Sequence, residues 1–172
     1  MRISRAVMTA LVLCLGAAGN AAADNGIAAF DKAMQPVVDA YLKIHASLSG
    51  DRMDGVADAA KSIAQLARKL DASKVTGENA AQYRDIPQKL VKSADALAKE
   101  TTLKDAREKL KELGKPMALW ATLSKPAGIW AVYCSMAPGS WLQKQGEIRN
   151  PYYGAAMLNC GQILGGAGAP AR

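Results

Sequence analysis

The chain has 172 residues, of which 50% are hydrophobic, and its 22 lysines and arginines against 15 acidic residues give a formal net charge of +7. This length suits one domain with a buried core, and basic residues interleaved with acidic ones do not form the clustered basic stripe of nucleic-acid-binding proteins. A single histidine and no Cys-x-x-Cys pair exclude blue-copper centres, His-Glu-x-x-His zinc hydrolases, thioredoxin chemistry and c-type haem attachment. We therefore expect neither an enzyme nor a nucleic-acid partner.

Residues 1–23 have the layout of a secretory signal peptide. Arg2 and Arg5 precede an apolar run, and the run is followed by the small residues Ala21-Ala22-Ala23. The run is too short to span a bilayer, and an Ala-x-Ala sequence is typical of a cleavage site. We expect cleavage after Ala23 and a mature chain in the periplasm, with no membrane insertion after the signal is removed.

Two of the three cysteines belong to the mature chain. Cys14 lies inside the apolar run and is interpreted as part of the signal core, with a lipid-anchored cysteine as the minor alternative. Cys134 and Cys160 remain, in an exported protein where both disulfides and soft-metal sites occur.

Four amphipathic segments predict four helices. Thr102 followed by Asp105 also predicts a capping box at the start of the last one. Apolar residues recur every three or four positions in each segment: Ile27 to Leu48, Val56 to Leu70, Tyr83 to Leu97, and Leu103 to Leu123. The predicted fold class is all-α, an up-and-down four-helix bundle, within a single domain over residues 24–164.

Residues 125–164 differ in composition from the helical segments. They are rich in proline, glycine and aromatic residues, which predicts a loop-rich aromatic cap on the bundle. The final residues 165–172 are rich in glycine and alanine and are expected to be a disordered tail. Because functional sites concentrate on loops held by a rigid scaffold, we expect the site in the cap.

The cap holds two pairs of sulfur-containing residues. Cys134 and Met136 are alternate residues that can face one point in an extended chain, and Met157 and Cys160 can share a face of a helical turn. Together the two pairs would give two thiolates and two thioethers, a soft ligand set that suits monovalent copper or silver.

Other interpretations remain open for these residues. Cys134 and Cys160 could form a disulfide that closes a ~27-residue loop and stabilises the fold by roughly 3 to 4 kcal/mol, with both methionines in the core. His45 lies on the apolar face of the first predicted helix, where a lone histidine is more often a hydrogen-bonded core residue than a metal ligand.

Several stretches resemble a known family. "AYLKIHASLSGDRMDGVADAAKSIAQLA", "YCSM", "WLQKQGEIRNPYYG" and "MLNCG" are similar to an uncharacterised family of exported bacterial helical domains, found alone or appended to periplasmic adaptor subunits of copper and silver efflux pumps. The resemblance covers most of residues 37–164. Ser135 departs from it, because the family usually has a proline between the cysteine and the methionine.

The resemblance implies a helical periplasmic domain that binds monovalent copper, or silver, for buffering, handover or efflux. It implies Cys134, Met136, Met157 and Cys160 as ligands, His45 as an extra one, and periplasmic components of a metal efflux system as partners. The alternative is a disulfide-stapled helical interaction module that binds no metal and docks a partner through its aromatic cap.

Overall fold

The computed structural model describes residues 26–166, so the expected signal peptide and most of the expected tail lie outside the described residues. Four helices form where the apolar periodicity predicts them. They are α1 (Ile27–Ser49), α2 (Val56–Ala67), α3 (Ala80–Leu97) and α4 (Leu103–Ser124). Each helix packs against the next in chain order, and α1 also contacts α4. The four predicted helices are therefore present.

Helix boundaries follow local chemistry. The Thr102 side chain accepts a hydrogen bond from the Asp105 backbone N–H at 3.1 Å, which confirms the predicted cap of α4. Pro36 lies inside α1 and Pro116 inside α4, and both helices continue through them, although proline removes one hydrogen bond of the helical ladder.

The prediction of an all-α fold with a loop-rich cap is wrong. Much of the region after α4 forms a three-stranded antiparallel sheet in the order β2-β1-β3. The strands are β1 (Ile129–Cys134), β2 (Gly139–Lys144) and β3 (Gln162–Gly165), with a short 3₁₀ helix (Gly154–Met157) between the last two. The protein thus combines a helical layer with a small sheet.

The sheet has a clear local cause. β1 has the sequence Ile-Trp-Ala-Val-Tyr-Cys, rich in the aromatic and β-branched residues that favour strands, and turn-forming residues flank it on both sides. Cys134 pairs with Gly139, so Ser135 to Pro138 form the hairpin loop. Buried and more exposed residues do not alternate strictly along β1, since the adjacent residues Ala131 and Val132 are both buried in this central strand.

The sheet packs on the helices through β2. Both α1 and α4 contact β2, so the sheet lies against the side of the helical layer. Gly114 of α4 permits the close approach, because a Cβ added there would overlap the Ser140 carbonyl and the Tyr152 hydroxyl. Trp141 and Leu142 of β2 are buried in the shared core. Among residues 26–166, no helix combines the length and apolarity needed to cross a membrane.

Candidate metal centre

The two mature cysteines lie together at the end of the sheet. Cys134 is the last residue of β1, and Cys160 follows the 3₁₀ helix just before β3. Both are free thiols; Cys134 is 1% exposed and Cys160 is half-buried. The sheet order explains the proximity, because β3 pairs with β1 and returns the chain beside the residues that precede the hairpin loop.

The two thiols are hydrogen-bonded to each other. Burial by itself raises the pKa of Cys134, but hydrogen bonds from the Cys160 thiol, the Ala137 and Met136 N–H groups and the Asn150 side chain lower it below its usual value. The Ala137 nitrogen lies 3.4 Å from the Cys134 Sγ. The hydrogen bond that Cys160 donates to Cys134 raises the pKa of Cys160, and burial adds to this shift. The surroundings therefore favour the thiolate form at Cys134 over that at Cys160.

The two methionines have different environments. Met136 lies in the hairpin loop, and its backbone N–H contacts both cysteine sulfurs, while its residue is 67% exposed. Met157 ends the 3₁₀ helix, packs half-buried against the core, and accepts the Cys160 N–H at 3.2 Å through its carbonyl. Each methionine is therefore fixed to the thiol pair through its backbone, and the role of the thioethers stays a prediction.

His45 is buried in α1 with a backbone partner. Its Nε2 lies 2.8 Å from the Arg149 carbonyl oxygen, and it is only 7% exposed. Burial lowers the pKa of His45 to about 4, the Arg149 charge acts in the same direction, and the hydrogen bond opposes the shift. This geometry favours the core interpretation of His45 over a role as a ligand. This hydrogen bond connects α1 to Arg149, the residue before Asn150.

Arg107 and Asp51 form a second contact, with the segment that carries Met157 and Cys160. Arg107 of α4 donates to the Pro151 carbonyl at 3.0 Å and to the Leu48 carbonyl at 2.9 Å, and it pairs with Asp51. Asp51 in turn accepts the Ala155 N–H at 3.1 Å. The turn after α1 and the N-terminal part of α4 thereby hold the 3₁₀ helix in place. The sequence did not predict this contact, because an Asp and an Arg far apart in sequence carry no sign of pairing.

Aromatic residues lie behind the site. Trp141 is fully buried and packs edge-on against Tyr152, with ring centroids 5.7 Å apart. Tyr152 donates its hydroxyl to the Ser140 carbonyl, whereas Tyr153 is 44% exposed. Trp141 and Tyr152 therefore join the sheet to the segment after Pro151.

The donor set decides which ions fit. Across residues 26–166, no three His, Cys, Asp or Glu side chains form a group that could hold a metal ion. Calcium and magnesium take hard oxygen ligands, whereas thiolates belong to the soft ligands. The two thiols of Cys134 and Cys160 are donors of the soft type.

Comparison with known proteins gives one match. Residues 37–127 match the family described as "Protein of unknown function (DUF3347)". No curated protein and no solved structure matches the chain. The matched residues include most of α1 and all of α2 to α4, while Cys134 and Cys160 lie beyond them. The match spans more than half of the chain, and the protein therefore belongs to the DUF3347 family, an uncharacterised domain family.

Proposed function

We propose that the protein is exported to the periplasm and binds a monovalent soft metal ion, copper or silver, as its cargo. Cys134 and Cys160 supply the thiol ligands, and Met136 and Met157 supply thioethers. The observation that carries the proposal is the contact between two free thiols, one of them buried. Thiolate and thioether ligands select monovalent copper over the harder cations.

The hydrogen bonds at Cys134 support this choice. A metal binds the thiolate rather than the thiol, so a site that stabilises the thiolate reduces the free energy spent on deprotonation. The Cys134 sulfur accepts hydrogen bonds from two backbone N–H groups and from two side chains. The proton that Cys160 places between the two sulfurs is the one that an incoming cation would displace.

The exposure of Met136 supports an entry route. Its N–H contacts both sulfurs while its side chain lies in solvent, so a flexible thioether is available beside a half-buried thiol. Cys134, by contrast, is almost fully buried. A soft ion would meet Met136 and Cys160 first and Cys134 last.

The biological setting rests on the resemblance described above. Domains of this kind occur on adaptor subunits of copper and silver efflux pumps, and this supports a role in metal buffering, handover or efflux. The partners of the protein would then be periplasmic components of such a system.

The test is a competition titration of the reduced protein against a chelator of monovalent copper. We expect one ion per chain, lost when Cys134 is changed to serine because a two-thiolate site becomes a one-thiolate site. The double variant Met136→Leu, Met157→Leu should bind at least about tenfold more weakly, equivalent to about 1.4 kcal/mol. Met117→Leu is the matched control, since Met117 is fully buried within α4. Equal affinity in the wild type and the double variant would leave the thioethers as packing residues.

The contact between the Cys134 and Cys160 thiols also supports the alternative function, a disulfide-stapled interaction module. Two hydrogen-bonded thiols in an oxidising compartment are placed for a disulfide, which would make the protein a stapled interaction module with an aromatic face. Failure of the reduced protein to bind copper, together with a Cys134–Cys160 bridge in the exported protein, would favour this alternative.

A further inference from the structure

Asn150 is the buried side chain that touches both cysteines. It is 0% exposed, and its Nδ2 donates to the Cys160 carbonyl at 3.0 Å. The same side chain also lowers the pKa of the Cys134 thiol, as a hydrogen-bond donor close to its sulfur does. Its Oδ1 accepts the Tyr152 N–H at 2.8 Å, which fixes the orientation of the amide so that Nδ2 faces the two cysteines.

The backbone of Asn150 closes the segment that leads to Cys160. Its N–H donates to the Leu158 carbonyl at 2.6 Å, and its carbonyl accepts the Gly154 N–H at 3.3 Å. The residue therefore sits at the base of the loop that contains the 3₁₀ helix. The side chain adds a connection from this loop to the end of β1, in addition to the backbone pairing of β1 with β3.

We propose that Asn150 is a positioning residue whose carboxamide holds Cys160 against Cys134 in the metal-free protein. The two cysteines lie on different segments, and apart from this amide their contact depends on the pairing of β1 with β3, on the Met136 N–H and on one thiol hydrogen bond. An amide that serves both segments limits the local opening by which Cys134 reaches solvent. The inference rests on the proposed function only for its effect on metal affinity, since the contact itself involves no metal.

A simple turn role for Asn150 makes a different prediction. Aspartate keeps the side-chain oxygen that accepts the Tyr152 N–H and keeps both backbone hydrogen bonds, but it lacks the two N–H donors. Asn150→Asp therefore keeps the turn, removes the amide donors that face the cysteines and introduces a buried carboxyl. If the turn were the whole role, this variant would affect the cysteines no more than another buried amide-to-carboxyl substitution does.

Gln143 provides a matched control. It is the other buried amide of the sheet region, 2% exposed, and it binds the Glu147 carbonyl at 2.9 Å and the Trp141 Nε1 at 3.0 Å. Gln143→Glu thus removes buried amide donors and introduces a buried carboxyl, as Asn150→Asp does. Its side chain also bonds the Lys144 carbonyl and the Arg149 N–H, so these four partners are residues other than the cysteines.

The first experiment measures the initial alkylation rate of each cysteine in the native, reduced, metal-free full chain, by mass spectrometry. Cys134 reacts only after local opening, so its rate follows the opening equilibrium. Because the hydrogen bonds at its sulfur are already broken in the opened state, its reactivity there is the same in every variant. We expect Cys134 in Asn150→Asp to react about tenfold faster relative to Cys160, the change expected from one lost buried hydrogen bond.

Gln143→Glu should change the Cys134 to Cys160 rate ratio less than about threefold, once both variants are corrected for global stability from urea unfolding. Asn150→Ser is the second variant if the aspartate variant does not fold, because serine keeps a short acceptor for the turn but does not reach the cysteines. An unchanged ratio in the folded Asn150 variant, or an equal increase in the Gln143 variant, overturns the proposal.

The second experiment separates this proposal from the proposed function. Asn150→Asp should bind monovalent copper about tenfold more weakly than Gln143→Glu in the competition titration. If the wild type binds no copper, the proposed function fails, and the alkylation ratio still decides the role of Asn150. If copper binds and the ratio is unchanged, only the role of Asn150 fails.

Discussion

At the scale of single residues, His45 makes stability depend on pH. Burial holds its pKa near 4 in the folded protein, whereas the unfolded chain titrates near ~6.5. The unfolded state therefore binds the extra proton more tightly between these values, and protonation favours unfolding. The contribution is fully present above about pH 6.5 and is lost as the pH falls toward about 4.

We expect the protein to lose on the order of 2 kcal/mol of unfolding free energy between pH 7.5 and pH 5 through this one group. Urea unfolding at the two pH values measures it, and the His45→Gln variant should show a correspondingly smaller loss. Parallel pH dependence in the variant and the wild type would mean that His45 is not held neutral by burial.

Residue chemistry was partly readable from the sequence. The two cysteines and their neighbouring methionines were found from spacing, and the histidine was assigned to an apolar helix face. The sequence gives no sign of the role of Asn150, because its burial and its contacts depend on how β3 returns to β1. Local sequence carries no information about that long-range pairing.

At the scale of elements, the contact between α4 and β2 depends on Gly114. Alanine is favoured over glycine in a helix by about 1 kcal/mol, but a Cβ at this position would overlap the Ser140 carbonyl, a backbone atom that cannot rotate away. Overpacking of this kind costs about 1 to 3 kcal/mol, so the steric term wins.

Because the added Cβ would lie 1.9 Å from the Ser140 oxygen, the overpacking cost should be near the upper end of its range. Gly114→Ala is therefore expected to destabilise the protein by about 2 kcal/mol, which is about 3 kcal/mol of overpacking reduced by about 1 kcal/mol of helix propensity. Chemical denaturation gives the value. Lys109→Ala, on an exposed position of the same helix, should stay within about 0.5 kcal/mol of the wild type. A variant as stable as the wild type would show that α4 and β2 do not approach this closely.

The helices were predictable and the sheet was not, for a physical reason. Helix α4 shows its buried face as a period of three to four residues, and Thr102 marks its start. Strand β1 is short and central, so its buried residues do not alternate with exposed ones, and period two is absent. The available signal was its aromatic and β-branched composition between two turn-forming segments.

At the scale of the whole molecule, the family match ends before the sheet begins, whereas the fold packs the sheet against the helices. The match ends at residue 127, just before β1, yet β2 packs on both α1 and α4. The sheet therefore completes the core of the helices. A fragment of residues 24–127 would expose the apolar faces that Trp141 and Leu142 now cover.

We expect this fragment to unfold at a lower urea concentration than the full chain and to bind a hydrophobic dye, because exposed apolar surface binds such dyes. Comparison with residues 24–172 under the same conditions provides the control. A fragment with the same midpoint, the same cooperativity and no dye binding would show the sheet to be an independent appendage.

In the proposed metal site, sulfur atoms alone hold a soft metal ion at Cys134 and Cys160. Copper K-edge X-ray absorption of the reduced protein, loaded with one equivalent of monovalent copper, measures the atoms bound to the ion. We expect a first shell of sulfur only, at about 2.3 Å by analogy with zinc–thiolate bonds, and its loss in the Cys134→Ser, Cys160→Ser variant. A nitrogen or oxygen first shell, or copper that washes off the reduced wild type, would contradict it.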